Sequence, residues 1–371
     1  MQKLFRSLVL LCAFALIAAA CGGDDETDGA LAFDAESTST TTTTIAEPEQ
    51  EAITSSTSTT TTIPSGPAFP LSGEQLTNDN QGDHAAVVVK ISNNDETARD
   101  ALLGLDQADI VFEERIEQEA TRFAAVFHSS LPTEVGSVRS ARTSDVQILS
   151  NLNTPVFAFS GANDGVNGQV REAENDGLLI RSSSQLGDIE FRRISEFSAP
   201  NNLVVDTVAL LDNAPDSAAP QPIFDYSNNA AELGAPTPGV RIPARTNAVF
   251  VWDEDSEGFL AFQGGMPLES RDGVHVTPAN VIVLTTTYVA SQIDAQSVDA
   301  TTIGSNPVTV YSNGFRVEGT WTRDFARDGY TLETPDGQTI GLAPGQTWVS
   351  LAPAGVGAEL SQQNAEAILE G

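Results

Sequence analysis

Hydrophobic and polar positions change their rhythm twice along the chain: a solid apolar run at Leu8 to Ile17, then 22–66 with almost nothing large and apolar, then short apolar runs from Pro67 onward. The third zone is punctuated by Gly, Pro and Asn, the pattern of a folded body. HAAVVVKI at 84–91 predicts a buried strand, and NNDETARDALLGL after it a helix. ADIVFEERIE at 108–117 and TRFAAVFHS at 121–129 predict two strands that pair as a hairpin. In the second, Phe123, Ala125 and Phe127 share one face, Arg122 and His128 the other. SDVQILSNL at 144–152 predicts a short helix with Ser144 and Gln147 at capping-box spacing. NTPVFAFSG predicts a strand ending at Gly161, a polar helical stretch runs to about Asn175, and VDTVALLDN closes the first half as a helix.

These elements predict a mixed α/β domain over 67–213. A connection rich in Pro, Asn and Ala follows at 214–243. AVFVWDE, GFLAFQ, NVIVLTTTYV, VTVYSNGFRVEGTW and GYTLETPDGQTIGL then predict a mainly β domain over 244–354. Its turns fall at Ser312-Asn313-Gly314 and Pro335-Asp336-Gly337. Residues 355–371 read as a polar tail of two helical turns at most. The fold class is α+β, a mixed α/β N-terminal domain followed by a mainly β C-terminal one.

The first zone has the layout of a secretory signal: Lys3 and Arg6, an apolar run too short to span a bilayer, then Ala18-Ala19-Ala20. Cys21 follows at once, so 1–21 reads as a lipoprotein signal whose cysteine is lipidated and becomes the new N-terminus. An ordinary cleaved signal with an incidental cysteine is the competing reading. Cys12, the other cysteine, lies within the removed segment, which leaves no disulfide to form. Residues 22–66 are low-complexity Thr, Ser and acid, with STSTTTTTI recurring as STSTTTTI, and predict a disordered linker. Fully extended, it reaches about 150 Å. The expected place is the extracytoplasmic face of the cell membrane.

Charge narrows the function classes. The chain carries 18 Lys+Arg against 51 Asp+Glu, a net charge of −33, which excludes a nucleic-acid surface. Loss of Lys3 and Arg6 with the leader leaves 16 basic residues against 51 acidic, or −35, so the acidity belongs to the exported part. Lys90 is then the only lysine, and any anion site must be built from arginine.

VGSVRSAR sets Arg139 and Arg142 just ahead of Ser144, where a helix N-terminus flanked by guanidinium groups favours an anion. Arg122 on the neighbouring strand is the third candidate, and Gly136, Ser137 and Ser140 permit close backbone approach. The opposing reading pairs these arginines with Asp109, Glu113 and Glu114 as an internal ion network. Glu113 and Glu114 are adjacent and face opposite ways on a strand; Glu113, on the face of Arg122, would complete a polar floor. Residues 163–174 match a calcium loop incompletely, and a Gly-rich turn into a polar helix fits them better. His84, His128 and His275 lie far apart without metal spacing, so no metal and no cofactor is expected. Trp252, Trp321 and Trp348 read as packing residues rather than a sugar platform.

QADIVFEE at 107–114, TRFAAVFHS, VGSVRSAR and SAPNNLV at 198–204 resemble the YerB-like family of bacterial lipoproteins, a family of unknown function with N- and C-terminal parts. NVIVL, GFRVEGTWTR and PGQTWVSLAP resemble its C-terminal part. The family has His where this chain has Asn201, and Tyr and Arg within the segment held here by Phe259 to Phe262. The resemblance implies a membrane-anchored lipoprotein without an assigned activity. The leading expectation is a lipid-anchored extracytoplasmic binding or scaffold protein with a ligand site at Arg122, Arg139, Arg142, Glu113 and Asn202. Its expected partners are an envelope polymer, an anionic ligand or another protein. The alternative is an envelope enzyme with Glu113 or Asp109 as acid/base and the arginines holding substrate.

Overall fold

The computed structural model describes residues 66–78, 81–244 and 246–370. The signal, Cys21 and the linker lie outside the described residues. No helix among the described residues is long and apolar enough to cross a membrane.

An 11-stranded mixed sheet forms the body. Its first half contains β1 (Val87–Ser92), β2 (Ile110–Arg115), β3 (Thr121–Phe127), β4 (Val156–Phe159) and β5 (Ile180–Ser183). β2 and β3 form the expected antiparallel hairpin, β3 pairs antiparallel with β1, and β1, β4 and β5 run parallel. β1 is buried along its whole length, which is why it reads as an unbroken β-branched run rather than an alternation. Val88 faces one core and Val87 and Val89 the other.

Around this half lie α1 (Glu96–Asp100), capped by Asp95, the short α2 (Asp145–Leu149), α3 (Asp164–Asn175), capped by Asn163, and α4 (Thr207–Asp212), capped by Asp206. α3 crosses from β4 to β5 and buries Val166, Val170 and Ala173, a stripe at helical spacing. It packs against the core that holds Phe112, Ala124 and Phe157. Full burial of one such phenylalanine contributes about 2 kcal/mol.

The second half has α5 (Ala230–Leu233) and strands β6 (Gly239–Ile242), β7 (Ala248–Asp253) and β8 (Gly258–Gln263), the last three in a separate five-stranded sheet. β9 (Asn280–Thr285), β10 (Gly304–Ser312), β11 (Phe315–Arg323) and β12 (Thr347–Ala352) join the main sheet. β6 and α5 arise inside the stretch whose prolines suggest a bare connection. Asn313-Gly314 makes the expected two-residue hairpin between β10 and β11, both residues at positive φ. α6 (Gln362–Leu369) ends the described chain and packs Ala365 beside Val249 and Val251.

β12 binds the two halves together. It runs parallel to β9 on one side and to β2 on the other, with Thr347 opposite both Asn280 and Ile110. On one face of this shared sheet lie Phe112, Phe157, Ile282 and Trp321; on the other Phe123, Trp348, Phe250 and Phe259. Trp321 and Trp348 are buried core residues, while Trp252 is only half-buried and lines a surface cleft.

Candidate functional site

The three arginines gather where segment 135–142 crosses the end of the parallel strands. Arg139 N donates to Lys90 O of β1, Ser160 N to Arg139 O, and Ala141 N to Gly161 O just beyond β4. Ser140 and Arg142 thereby lie against the turn from β4 into α3. Carboxyl ends of parallel strands are where open α/β sheets place ligands. A cleft of 380 Å³ opens here, lined by Glu117, Ser140, Arg142, Ser160, Asn163 and Asp294, among others. Gly161 is required at the turn: at φ +150 a Cβ would stand 2.6 Å from Gln185 Oε1, the atom that accepts from Ala162 N.

Arg122 sits behind Ser140, 4% exposed, and donates from Nη1 to the Ser140 carbonyl at 2.9 Å. Its Nε is buried with no partner. Burial, with Arg142 and Arg139 close by, pulls this guanidinium well down from its ordinary value, to about 9. Arg139 donates to Asn201 Oδ1 at 3.1 Å, and burial likewise lowers it. Among the described residues neither has a carboxylate at ion-pair distance. Arg142 does: its Nε lies 2.8 Å from Glu117 Oε1. Burial works against Glu117's charge, but Arg142 and the Ser297 hydroxyl hold the carboxyl below its ordinary value. The single Ser297 hydroxyl proton is shared between Glu117 and Asp294, whose Oδ2 also accepts from Asn163 Nδ2. The rim is thus a chain of bonds from Arg142 to the cap of α3.

Of the acids in the internal-network expectation, Glu114 is paired, but with Lys90 rather than with an arginine. Lys90, fully buried, pairs with Glu114 and with Asp145 Oδ1 at 2.6 Å. Burial, and the neighbouring Asp145, push the Glu114 carboxyl up to about 7 against the pull of Lys90. The hairpin register sets Glu114, not Glu113, opposite Arg122. Glu113 therefore turns to the other face of the sheet and adds nothing to the arginine floor. Asn202 is also elsewhere, accepting from Arg193 and donating to Ile194 O; its neighbour Asn201 is the one that reaches Arg139. Asp109 accepts from His128 N and Ser129 N. Neither carboxylate of the enzyme reading is brought to the arginines.

The start of α2 and the histidines depart from their expectations, while residues 163–174 follow theirs. Ser144 and Gln147 do not form a capping box: both bond the strand Val298–Thr301 and its end, through Val298 O, Ala300 N and Thr302 N, because that strand lies across α2. The N-terminus of α2 is occupied by Asp145, which accepts from Arg142 N, so the anion geometry expected there is replaced by the cleft at α3. His84 and His128, distant in sequence, are in ring contact at 4.8 Å. Residues 163–174 serve as the cap and body of α3 rather than a calcium loop, and no group of three metal-type ligands is placed together among the described residues.

Residues 71–220 match the family described as "Protein of unknown function (DUF3048) N-terminal domain", and residues 239–349 match its C-terminal domain. The chain belongs to this family. It is 25% identical over 279 residues to "Putative lipoprotein YerB" of Bacillus subtilis (strain 168), across 72% of this chain and 81% of that protein. The crystal structure of the YerB protein from Bacillus subtilis matches with a TM-score of 0.67 at 21% identity, across 79% of this chain and 99% of that one. That likeness shows a shared fold. Within the family fold, Phe259 packs on Trp252 and Tyr311, and Phe262 on His275, so the segment that carries Tyr and Arg in the resemblance is apolar packing here.

Proposed function

We propose that the chain is an extracytoplasmic binding protein, anchored by lipid on Cys21 and held off the membrane by its Thr-rich linker, whose cleft beside α3 takes an anionic, hydroxyl-bearing ligand of the cell envelope. The observation that carries the binding site is Arg122, a buried guanidinium directly behind the cleft wall with no carboxylate at ion-pair distance among the described residues. Buried charges are ordinarily paired. An anion seated between Arg142 and Ser140 supplies the missing countercharge. Glu117, Asp294, Asn163 and Gln185 along the same wall supply acceptors and donors for hydroxyl groups. The anchor is supported by the signal-and-cysteine layout and by the relative described as a lipoprotein.

Calorimetric titration of the chain with glycerol 3-phosphate tests the site: saturable binding is expected, with at least a tenfold loss in Arg142→Ala. Equal binding by both proteins removes the cleft from consideration. For the anchor, radiolabelled palmitate incorporated by cells expressing the wild type and not Cys21→Ala is the expected result, and an unlabelled wild-type protein refutes it.

A further inference from the structure

Glu113 lies on the face of the sheet away from the arginine cleft, and there its carboxylate is only 3% exposed. Every hydrogen bond it makes is one it accepts. Oε1 takes Thr121 Oγ1 at 2.9 Å, Thr246 Oγ1 and Gln263 Nε2 at 3.3 Å and Asn93 Nδ2 at 3.5 Å; Oε2 takes Trp348 Nε1 at 3.3 Å. Such a shell suits the charged form. Among the described residues no cation stands within ion-pair distance. Asn93 Oδ1, in the same cluster and fully buried, has no donor at all. The group that this cluster lacks is therefore a cationic hydrogen-bond donor.

Glu113 also lines a cavity of 120 Å³ between the two sheets. Thr121 and Ser350 give it hydroxyls beside the carboxylate, and Ile242, Pro243 and Val356 give it an apolar wall. Arg115 borders it, but that charge is met by Glu119 at 3.0 Å and by the ring of Tyr288. We propose that this cavity binds a small alkylammonium ion, with its ammonium on the Glu113 carboxylate and its stem against Ile242, Pro243 and Val356. The volume suits the task, since an apolar cavity of about 150 Å³ accommodates benzene. The acidity of the whole chain raises the local concentration of cations and favours entry. Burial outweighs the donors and raises the Glu113 carboxyl above its ordinary value, so a bound ammonium is what would hold it in the charged form.

The test is calorimetric titration of the full chain with n-butylammonium chloride, at ionic strength held constant with sodium chloride. Saturable one-site binding is expected, with at least a tenfold loss in Glu113→Gln, which keeps the acceptor oxygen and removes the charge. Val356→Phe fills the cavity without touching the carboxylate and should abolish binding, so it decides the matter if Glu113→Gln fails to fold. A parallel titration with an Nα-acetyl-lysine amide distinguishes the sources: binding of butylammonium alone identifies a free amine, binding of both a lysine side chain. Absence of saturable butylammonium binding, or retention of binding in either folded variant, overturns the proposal.

Discussion

Replacement of Arg122 by methionine separates a binding role from a structural one. In the folded protein the guanidinium falls well below its ordinary value, to about 9, which corresponds to about 5 kcal/mol against its charged form. It recovers part of this through one charged hydrogen bond to the Ser140 carbonyl, about 2 kcal/mol. Methionine fills much of the same volume without the charge, and apolar replacement of buried ions is often stabilising. Allowing for imperfect packing, Arg122→Met should stabilise the free protein by about 2 kcal/mol, a rise in Tm of about 4 °C for a body of this size. The ligand response should reverse. An anion at 100 times its Kd stabilises the wild type by about 2.7 kcal/mol, and the variant should show almost none of it. Thermal melts of both proteins with and without saturating glycerol 3-phosphate read the two effects together. A variant that melts several degrees lower, with an unchanged response to the anion, would refute the reasoning and make Arg122 a structural residue.

Other consequences follow from particular side chains. His128 is buried, and burial with His84 beside it lowers its pKa to about 4. An unfolded histidine near 6.5 then binds the proton first, so stability is full above pH 6.5 and is lost as pH falls toward 4, by about 3 kcal/mol. His128→Asn should flatten that part of a denaturation-against-pH profile. Asn163→Ala removes the cap bond to Val166 N and the bond to Asp294; urea denaturation should show a loss of about 1 kcal/mol, with weaker anion binding. Trp348→Phe leaves Glu113 Oε2 without its donor and opens space beside Phe123 and Phe250, a loss of about 3 kcal/mol in the same assay.

The hairpin of β2 and β3 was legible because its signals are local: apolar runs, alternation and a short polar link. Its register was not legible. A shift of one residue exchanges the two faces of a strand, and that single step moves Glu113 from the arginine floor to the opposite cavity and puts Glu114 in its place. β12 was legible as a strand-like segment around Trp348, but its place between the two halves of the sheet was not. TWVSLA lies between β9 and β2, and β2 is more than 200 residues away in sequence, a partner no local period records. The Ser144 and Gln147 spacing was real but served a tertiary contact, since the strand Val298–Thr301 offered both side chains backbone groups to bond.

Two buried ionisable side chains of opposite kind, Arg122 and Glu113, neither with an ion-pair partner among the described residues, lie on opposite faces of one sheet, and the register that separates them gives them different consequences. Arg122 stands within reach of Glu114, but Glu114 already shares Lys90 with Asp145, so the charge on Arg122 is left for the cleft. Glu113 has neutral donors only among the described residues, and burial raises its carboxyl, so under the proposal it takes its charge when a cation enters the cavity. Had the register allowed Glu113 to meet Arg122, each would have neutralised the other and neither face would need a ligand. The acidity of the chain does not decide either site, because it is spread over solvated groups that salt screens. What matters is that each buried charge was denied its natural partner by one pleat of a β-strand.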